Sequence, residues 1–251
     1  MKSSSRVTSR QVLKAIKAKA DPVRALSSAS FFKTGKGQYG EGDIFLGLGT
    51  PKHTVIAKEF ADLALPEVAK LHENRIHECR SVALTILVRR FAKANKQKDE
   101  KECARIARFY LAHRRWVNSW DLVDGSARYI LGAYLFEYKK DRSILYRLAR
   151  SKNLWDKRIA VISTHYFLLK DDYSDTLAIS EILLGDTHDL IHKAVGWMLR
   201  EVGKRSLKAE ERFLDAHAAH MPRTTLRYAI ERFVPARRAF YMDLKYGTLS
   251  A

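Results

Sequence analysis

Apolar residues recur every three or four positions along most of the chain, and this spacing places them on one face of an α-helix. Near the start, Val12, Leu13 and Ile16 follow the same spacing, so residues 1 to 20 are expected to form a first, basic helix. Five further segments have helical length and pattern: residues 82 to 94, 102 to 116, 126 to 140, 156 to 169 and 191 to 204. The pattern predicts an all-α fold.

One long segment departs from this pattern. Residues 33 to 50 contain six of the chain's 12 glycines, and glycine is the strongest signal of irregular backbone. The segment is therefore predicted to be a loop between helices, and nothing in its composition indicates what the loop does.

A coarse repeat runs through the helical part of the chain. Its anchors are Glu78 in ECRSVA, Trp120 in SWDLVD, Trp155 in WDKRIAVI and His192 in HKAVGWML, which lie 35 to 42 residues apart. Repeats of this length are typical of stacked, antiparallel helix pairs of the HEAT and armadillo kind. We therefore expect one domain over residues 1 to 251, a right-handed α-solenoid with one concave face. An irregular helical bundle with accidental spacing is the alternative.

The net charge of +18, from 46 Lys and Arg against 28 Asp and Glu, predicts an anionic partner. Between residues 86 and 118, ten basic residues stand against three acidic ones, with Phe109, Tyr110 and Trp116 among them. Such a surface is more typical of phosphate binding than of a merely solubilising face, so the concave face is expected to be basic and to bind nucleic acid. No run of 18 apolar residues predicts a membrane span.

Candidate chemistry is concentrated in RRWVNSWDLVD, residues 114 to 124. On a continuous helix, Trp116, Trp120 and Asp124 are four residues apart and share one face, whereas Asp121 is rotated by about 100°. A carboxylate beside two indoles is unusual. The ordinary interpretation of Asp124 is a helix cap or an ion pair with Arg128, four residues further on.

Stacked repeats would bring distant positions onto the same surface. Trp197 in KAVGWMLRE and Arg158 in WDKRIAVIS could then lie near Trp120 and Asp124. The alternative for Trp197 is an ordinary core position.

Metal chemistry has little support in the sequence. His188 and His192 are four residues apart but have no third ligand in a recognisable pattern, and the two cysteines have no CxxC spacing. His72 and His77 are expected at the solvated surface. No metal and no cofactor is predicted.

The segments SWDLVD, WDKRIAVIS, KAVGWMLRE and PRTTLRYAIERF resemble, in order and approximate spacing, the AlkD family of DNA alkylation repair glycosylases, which are built from HEAT-like repeats. The resemblance covers roughly residues 20 to 240. It implies that Asp124 is the catalytic carboxylate, that Trp120 and Trp197 are the aromatic pair beside it, and that Arg158 and Arg200 contact the DNA backbone.

The resemblance also assigns positions nearer the start of the chain. Phe31 stands where the family often has a tyrosine, and Thr50 matches a position near the phosphate track. Thr54 stands where relatives commonly have arginine, so the chain departs from the family pattern at two positions in this part, Phe31 and Thr54.

The function that the resemblance implies is hydrolysis of the N-glycosidic bond of cationic alkylpurines, such as 3-methyladenine and 7-methylguanine, in duplex DNA during base excision repair. The family contacts mainly the backbone at the damaged site, so the lesion need not enter a deep pocket. A monomeric, cytoplasmic protein without an obligate protein partner is expected. The alternatives are a DNA-binding relative without activity and a protein-binding scaffold.

Overall fold

The computed structural model describes residues 7 to 244, and most of this range is α-helical. In the described range no strand forms, and the isolated β-bridge between Ile44 and Ile76 is the only sheet-type pairing. The predicted all-α class is therefore confirmed. The right-handed stacking and the basic concave face stay predictions. The chain divides into two compact units, Met1–Ile130 and Leu131–Ala251.

The helices of the first unit are α1 Ser9–Lys17, α2 Pro22–Phe31, α3 Thr50–Glu59, α4 Leu65–His72, α5 His77–Lys96, α6 Glu100–Ala112 and α7 Trp120–Asp124. The long helix α5 is their centre, since α3, α4 and α6 all pack against it. Its core positions Ala83, Leu87 and Phe91 are fully or almost fully buried, and Val12 and Ile16 of α1 are buried as well. Residues 1 to 6, which begin the expected basic helix of residues 1 to 20, lie outside the described residues.

The chain from Phe32 to Gly49 is irregular, in the segment where the glycines predict a loop. Its register is fixed by backbone hydrogen bonds on both sides of the bridge, from Ile44 N–H to the Arg75 carbonyl (3.0 Å) and from His77 N–H to the Ile44 carbonyl (2.8 Å). At Gly47, φ is +81° and a Cβ atom would lie 2.2 Å from the Asp21 carbonyl oxygen. Only glycine fits this close approach.

The predicted helix over residues 102 to 116 is interrupted. Helix α6 ends at Ala112, a 3-10 turn follows at Arg114–Trp116, and α7 begins only at Trp120. The His113 ring donates to the Phe109 carbonyl (2.9 Å), and Ser119 is extended, with φ −149° and ψ 151°. Asn and Ser favour such non-helical breaks. The prediction that Trp116 shares one helix face with Trp120 and Asp124 is therefore wrong.

The second unit contains α8 Ala133–Glu137, α9 Ser143–Ala149, α10 Leu154–Ser163, α11 His165–Leu168, α12 Ser174–Leu183, α13 Asp189–Arg205, α14 Leu207–His217, α15 Arg223–Ala229 and α16 Pro235–Asp243. Helix α13 is the centre of this unit and packs against α10, α12, α14 and α15. Its Gly196 lets α15 approach closely, because a Cβ atom there would lie 2.5 Å from the Thr225 carbonyl oxygen.

Two predicted helices of this part are subdivided. Residues 126 to 140 contain a π-helical turn at Arg128–Gly132 before α8. Residues 156 to 169 divide at Thr164 into α10 and α11, and the Thr164 hydroxyl donates to the Val161 carbonyl (2.7 Å). Local breaks of this kind follow from single side chains and contacts, which a periodic pattern does not encode.

Candidate functional site

The short helix α7 carries the central candidate residues. Trp120 is its first residue and Asp124 its last, so the two lie four residues apart on one side of a single turn. Both are half-buried, whereas Leu122 and Val123 between them are buried and anchor the turn to the first unit. Trp120 and Asp124 thus keep the relation that their spacing predicts.

Aromatic rings surround Trp120. Phe32 stacks on its indole with the centroids 5.4 Å apart and the planes 14° from parallel, and Phe31 meets it edge-on at 6.0 Å. On the inner side, Phe45 stacks on Phe32 (5.0 Å) and on the imidazole of His77 (4.6 Å). A continuous row of rings therefore runs from α7 to the start of α5. We call these five residues the aromatic row.

An ionic network, buried except at Asp121, adjoins the aromatic row through His77. His77 Nε2 lies 2.8 Å from Asp121 Oδ2, and His77 Nδ1 lies 3.4 Å from Asp43 Oδ2. Asp43 also pairs with the Arg80 guanidinium, whose Nη1 donates to the Asn74 carbonyl (2.9 Å). We call His77, Asp43, Arg80 and Asp121 the ionic network.

Within the ionic network, the pKa of His77 is raised and the pKa of Asp121 is lowered. Burial acts to lower the pKa of His77, but its hydrogen bonds to Asp121 and Asp43 outweigh burial and raise the pKa above 6.5. Burial acts to raise the pKa of Asp121, but the hydrogen bond and positive charge of His77 outweigh it and lower the pKa below 3.8. Both shifts favour a charged imidazolium held between two carboxylates.

Glu78, which follows His77 on α5, binds the backbone of the irregular segment through hydrogen bonds. Its Oε1 accepts hydrogen bonds from the backbone N–H groups of Leu46 (2.9 Å), Gly47 (2.7 Å) and Leu48 (3.3 Å). The side chain is 1% exposed, and its other oxygen, Oε2, has no hydrogen-bond partner among residues 7 to 244. Glu78 therefore positions the loop and retains one unused acceptor.

A pocket of about 570 Å³ opens beside the ionic network, entirely within the first unit. Its lining includes aromatic residues together with His53, Glu78 and Asp121. Arg24, Ser27, Phe31 and Thr50 are the exposed residues of the lining, and Ser28 is half-buried. The pocket thus combines apolar ring surface with a few buried polar groups, which is the usual composition of a small-ligand site.

The predicted site residues of the second unit have varied surroundings. Trp197 is half-buried, and its Nε1–H donates to Glu201 (3.0 Å). Arg158 is 5% exposed and donates to the Leu190 carbonyl (2.5 Å). Arg200 is half-buried and pairs with Glu231. Their convergence with Trp120 and Asp124 stays a prediction.

Within the first unit, two of the predicted DNA contacts, Phe31 and Thr50, line the same pocket, and both are exposed. Their contact with DNA stays a prediction. No pattern in the sequence predicts the ionic network. His72 and His77 were expected at the solvated surface, but they are 0% and 2% exposed, so that expectation is wrong.

The two histidines weighed as metal ligands are used within the fold. His188 caps α13, its Nδ1 accepting from Leu190 N–H (3.1 Å), and His192 Nε2 bonds the Asp186 carbonyl. In the part of the chain that the structure describes, no three His, Cys, Asp or Glu side chains are grouped as a metal site. No helix of that part is long and apolar enough to span a membrane.

The charged imidazolium of His77 predicts a pH-dependent stability. Because its pKa is raised on folding, its contribution is complete below 6.5, the unfolded value, and is lost as the pH rises through the folded pKa. We expect the free energy of unfolding of the parent to exceed that of His77→Gln most at pH 6 to 6.5, with the difference shrinking towards pH 9. Urea unfolding of both proteins across this range measures it. A difference that grows with pH would contradict the assigned charge.

Two comparisons with known proteins find matches. The model of the family described as "DNA alkylation repair enzyme" matches residues 12 to 233. A solved structure described as "Predicted DNA alkylation repair enzyme from Enterococcus faecalis" superposes with a TM-score of 0.66 over 86% of this chain and 97% of that chain, at 16% sequence identity. At this identity the likeness concerns the fold alone. No curated protein matches the sequence.

Proposed function

Because the chain belongs to the family of DNA alkylation repair enzymes, we propose that it is a DNA glycosylase that removes cationic N-alkylated purines from duplex DNA. The observation that carries the proposal is the pairing on α7 of Trp120 and Asp124, each half-buried and hence partly accessible. A carboxylate facing a polyanion weakens binding, so its presence beside an indole favours a catalytic role.

The chemistry requires little from the protein. An alkylated purine such as 3-methyladenine or 7-methylguanine carries a positive charge, so it leaves as a neutral base without protonation by a general acid. As the bond from C1′ to the purine nitrogen breaks, the sugar becomes oxocarbenium-like. The Asp124 carboxylate stabilises that charge and takes the proton of the water that attacks C1′.

The indoles of Trp120 and Trp197 are proposed to add a cation–π attraction to the charge of the sugar or base. A cationic sugar or base over an indole face gains about 0.5 to 2 kcal/mol, more when the site is desolvated. Trp120 is proposed to supply such a face near Asp124, and Phe32 stacks on the same indole. Trp197 is proposed as the second indole of the pair.

DNA is proposed to bind to the basic surface of the protein. Arg158 and Arg200 are proposed to contact the DNA backbone, and Phe31 and Thr50 are proposed to lie near the phosphates. Arg200 is paired with Glu231, so a phosphate would have to replace that carboxylate. Arg158 has little exposed surface, which restricts it to a contact at its accessible edge or after a rearrangement. The protein is proposed to act as a cytoplasmic monomer without a cofactor.

The direct test is the release of free bases. Purified protein is incubated with methylated duplex DNA, and 3-methyladenine and 7-methylguanine are measured in the soluble fraction by chromatography. Release of either base above the rate of the no-enzyme sample supports the glycosylase. Tight binding of the same DNA without release would indicate a DNA-binding relative that has no activity.

The net charge of +18 predicts a strong dependence of DNA binding on salt. Each phosphate neutralised releases counterions, so the logarithm of the association constant should fall by about 0.9 per logarithm of salt for each contact. We expect a slope of about −4 or steeper for undamaged duplex between 50 and 200 mM salt. Fluorescence anisotropy with a labelled duplex measures it. A flat response would support the protein-binding scaffold instead.

A further inference from the structure

A cleft of about 420 Å³ lies within the second unit, and residues of α13, of α14 and of the chain around the start of α16 line it. Its apolar lining consists of Leu207, the first residue of α14, and of Phe233 and Val234, which precede α16. Leu207 is 52% exposed and Val234 is 68% exposed. A single exposed apolar side chain is ordinary, but a group of them around one concavity indicates a binding surface.

Basic side chains line the same cleft, and they are Arg200, Lys204, Arg232 and Arg237. Arg232 is exposed, and no carboxylate pairs with it in the part of the chain that the structure describes. The other three basic residues each pair with a carboxylate that is at least partly exposed. Ion pairs at such positions stabilise a protein little, so the carboxylates of a ligand can replace or join them.

The two acidic residues of the lining oppose an anionic ligand only weakly. Glu210 is 2% exposed, and its burial, together with the charge of Glu211, raises its pKa to about 8, so it is mostly neutral at pH 7. Glu211 accepts a hydrogen bond from Arg237 Nε (3.0 Å), and the guanidinium offsets its charge. The lining therefore carries a net positive charge at pH 7.

An acidic peptide suits this combination better than DNA or a small ligand does. A phosphate backbone can pair with the basic side chains, but it has no apolar surface to cover Leu207 and Val234. Because both side chains are more than half exposed, a small ligand within the cleft would leave much of their surface in water. A peptide can place one apolar side chain in the cleft, cover the apolar residues beside it and direct its carboxylates to the basic side chains.

We propose that this cleft binds an acidic segment of a partner protein, with one large apolar side chain against Leu207 and Val234 and with carboxylates paired to the basic residues, Arg232 among them. Such docking goes beyond the proposed glycosylase activity and does not depend on it, because the contacts lie entirely within the second unit and require no DNA.

Synthetic peptides test the two requirements separately. The probes are fluorescein-labelled pentapeptides of the sequence DDXDD, in which X is Phe, Trp or Leu. DDSDD retains the charges without the apolar side chain, and NNFNN retains the apolar side chain without the charges. Fluorescence anisotropy at low salt and pH 7 measures binding in the absence of DNA. We expect at least one apolar DDXDD peptide to bind at least about tenfold more tightly than both DDSDD and NNFNN.

Substitutions in the protein locate the binding site. Leu207→Gln and Arg232→Gln remove an apolar and a basic residue of the cleft. Their matched controls are Leu169→Gln, at a position that is 48% exposed, and Arg212→Gln, at an exposed position of α14, since neither residue lines the cleft. We expect each cleft variant to weaken binding of the best peptide by at least about threefold, whereas both controls should match the parent. Urea unfolding verifies that each variant is folded.

The possible results separate specific docking from the general attraction of a protein with a net charge of +18. Weaker binding in both cleft variants alone supports the proposal. Equal binding of the apolar peptides and DDSDD, or an equal loss in the control variants, would show non-specific attraction and overturn it. Weaker duplex binding in Arg232→Gln without any binding of the apolar peptides would assign the cleft to the DNA surface and overturn it as well. Base release from methylated DNA is measured separately, so failure of the glycosylase proposal leaves the peptide result interpretable.

Discussion

Asp43→Ala is expected to lower the free energy of unfolding by about 3 to 5 kcal/mol, because it leaves a buried cation without its carboxylate. The Arg80 side chain is 1% exposed and pairs with Asp43, which is itself 7% exposed. The guanidinium also donates to the Asn74 carbonyl, which carries no charge that could neutralise it. Asp43 also faces His77, so the substitution removes one of the two carboxylates that hold the imidazolium.

Urea unfolding at pH 7 measures this loss, and Glu41→Ala is the matched control. Glu41 is an exposed acid of the same loop whose carboxylate accepts one backbone N–H, from Gly37 at 2.8 Å, so its removal should cost no more than about 1 kcal/mol. Adding Arg80→Met to Asp43→Ala should recover part of the loss, since the uncompensated charge is then gone. Equal effects of Asp43→Ala and Glu41→Ala would refute the ionic network as a stabilising element.

The sequence predicted the long, strongly periodic helices better than the interruptions between them. Helices α5 and α13 contain the predicted segments at residues 82 to 94 and 191 to 204, because their buried faces repeat over several turns. The break before α7 depends on the ring of His113 and the extended backbone of Ser119. Single contacts of this kind leave no period in the sequence.

The candidate site could be predicted from the sequence only where its residues share one helix. The relation of Trp120 to Asp124 follows from their spacing within one helix. The ionic network could not be found in this way, because Asp43 lies in an irregular loop and reaches His77 and Arg80 only through the register of the Ile44 to Ile76 bridge. The spacing marks Glu78 as an anchor of the repeat, but its contacts with the loop depend on that same register.

The strongest test of the proposed chemistry concerns Asp124. Asp124→Asn keeps the size of the side chain and removes its charge, so the substitution removes electrostatic repulsion of the DNA backbone together with stabilisation of the oxocarbenium-like sugar. We expect the variant to bind undamaged duplex as tightly as the parent or more tightly. Its rate of 7-methylguanine release under single-turnover conditions should fall by at least about a hundredfold.

Asp121→Asn is the control for Asp124→Asn, since it lies on the same short helix and its carboxylate pairs with His77. It weakens the ionic network, so it should lower stability, while its excision rate, measured well below its unfolding transition, should stay within a few-fold of the parent. The two substitutions thus separate stability from chemistry on one helical turn. If Asp124→Asn releases 7-methylguanine at the parent rate, or if only Asp121→Asn loses excision, the catalytic carboxylate is not Asp124. The charge on that face of α7 would then need another explanation.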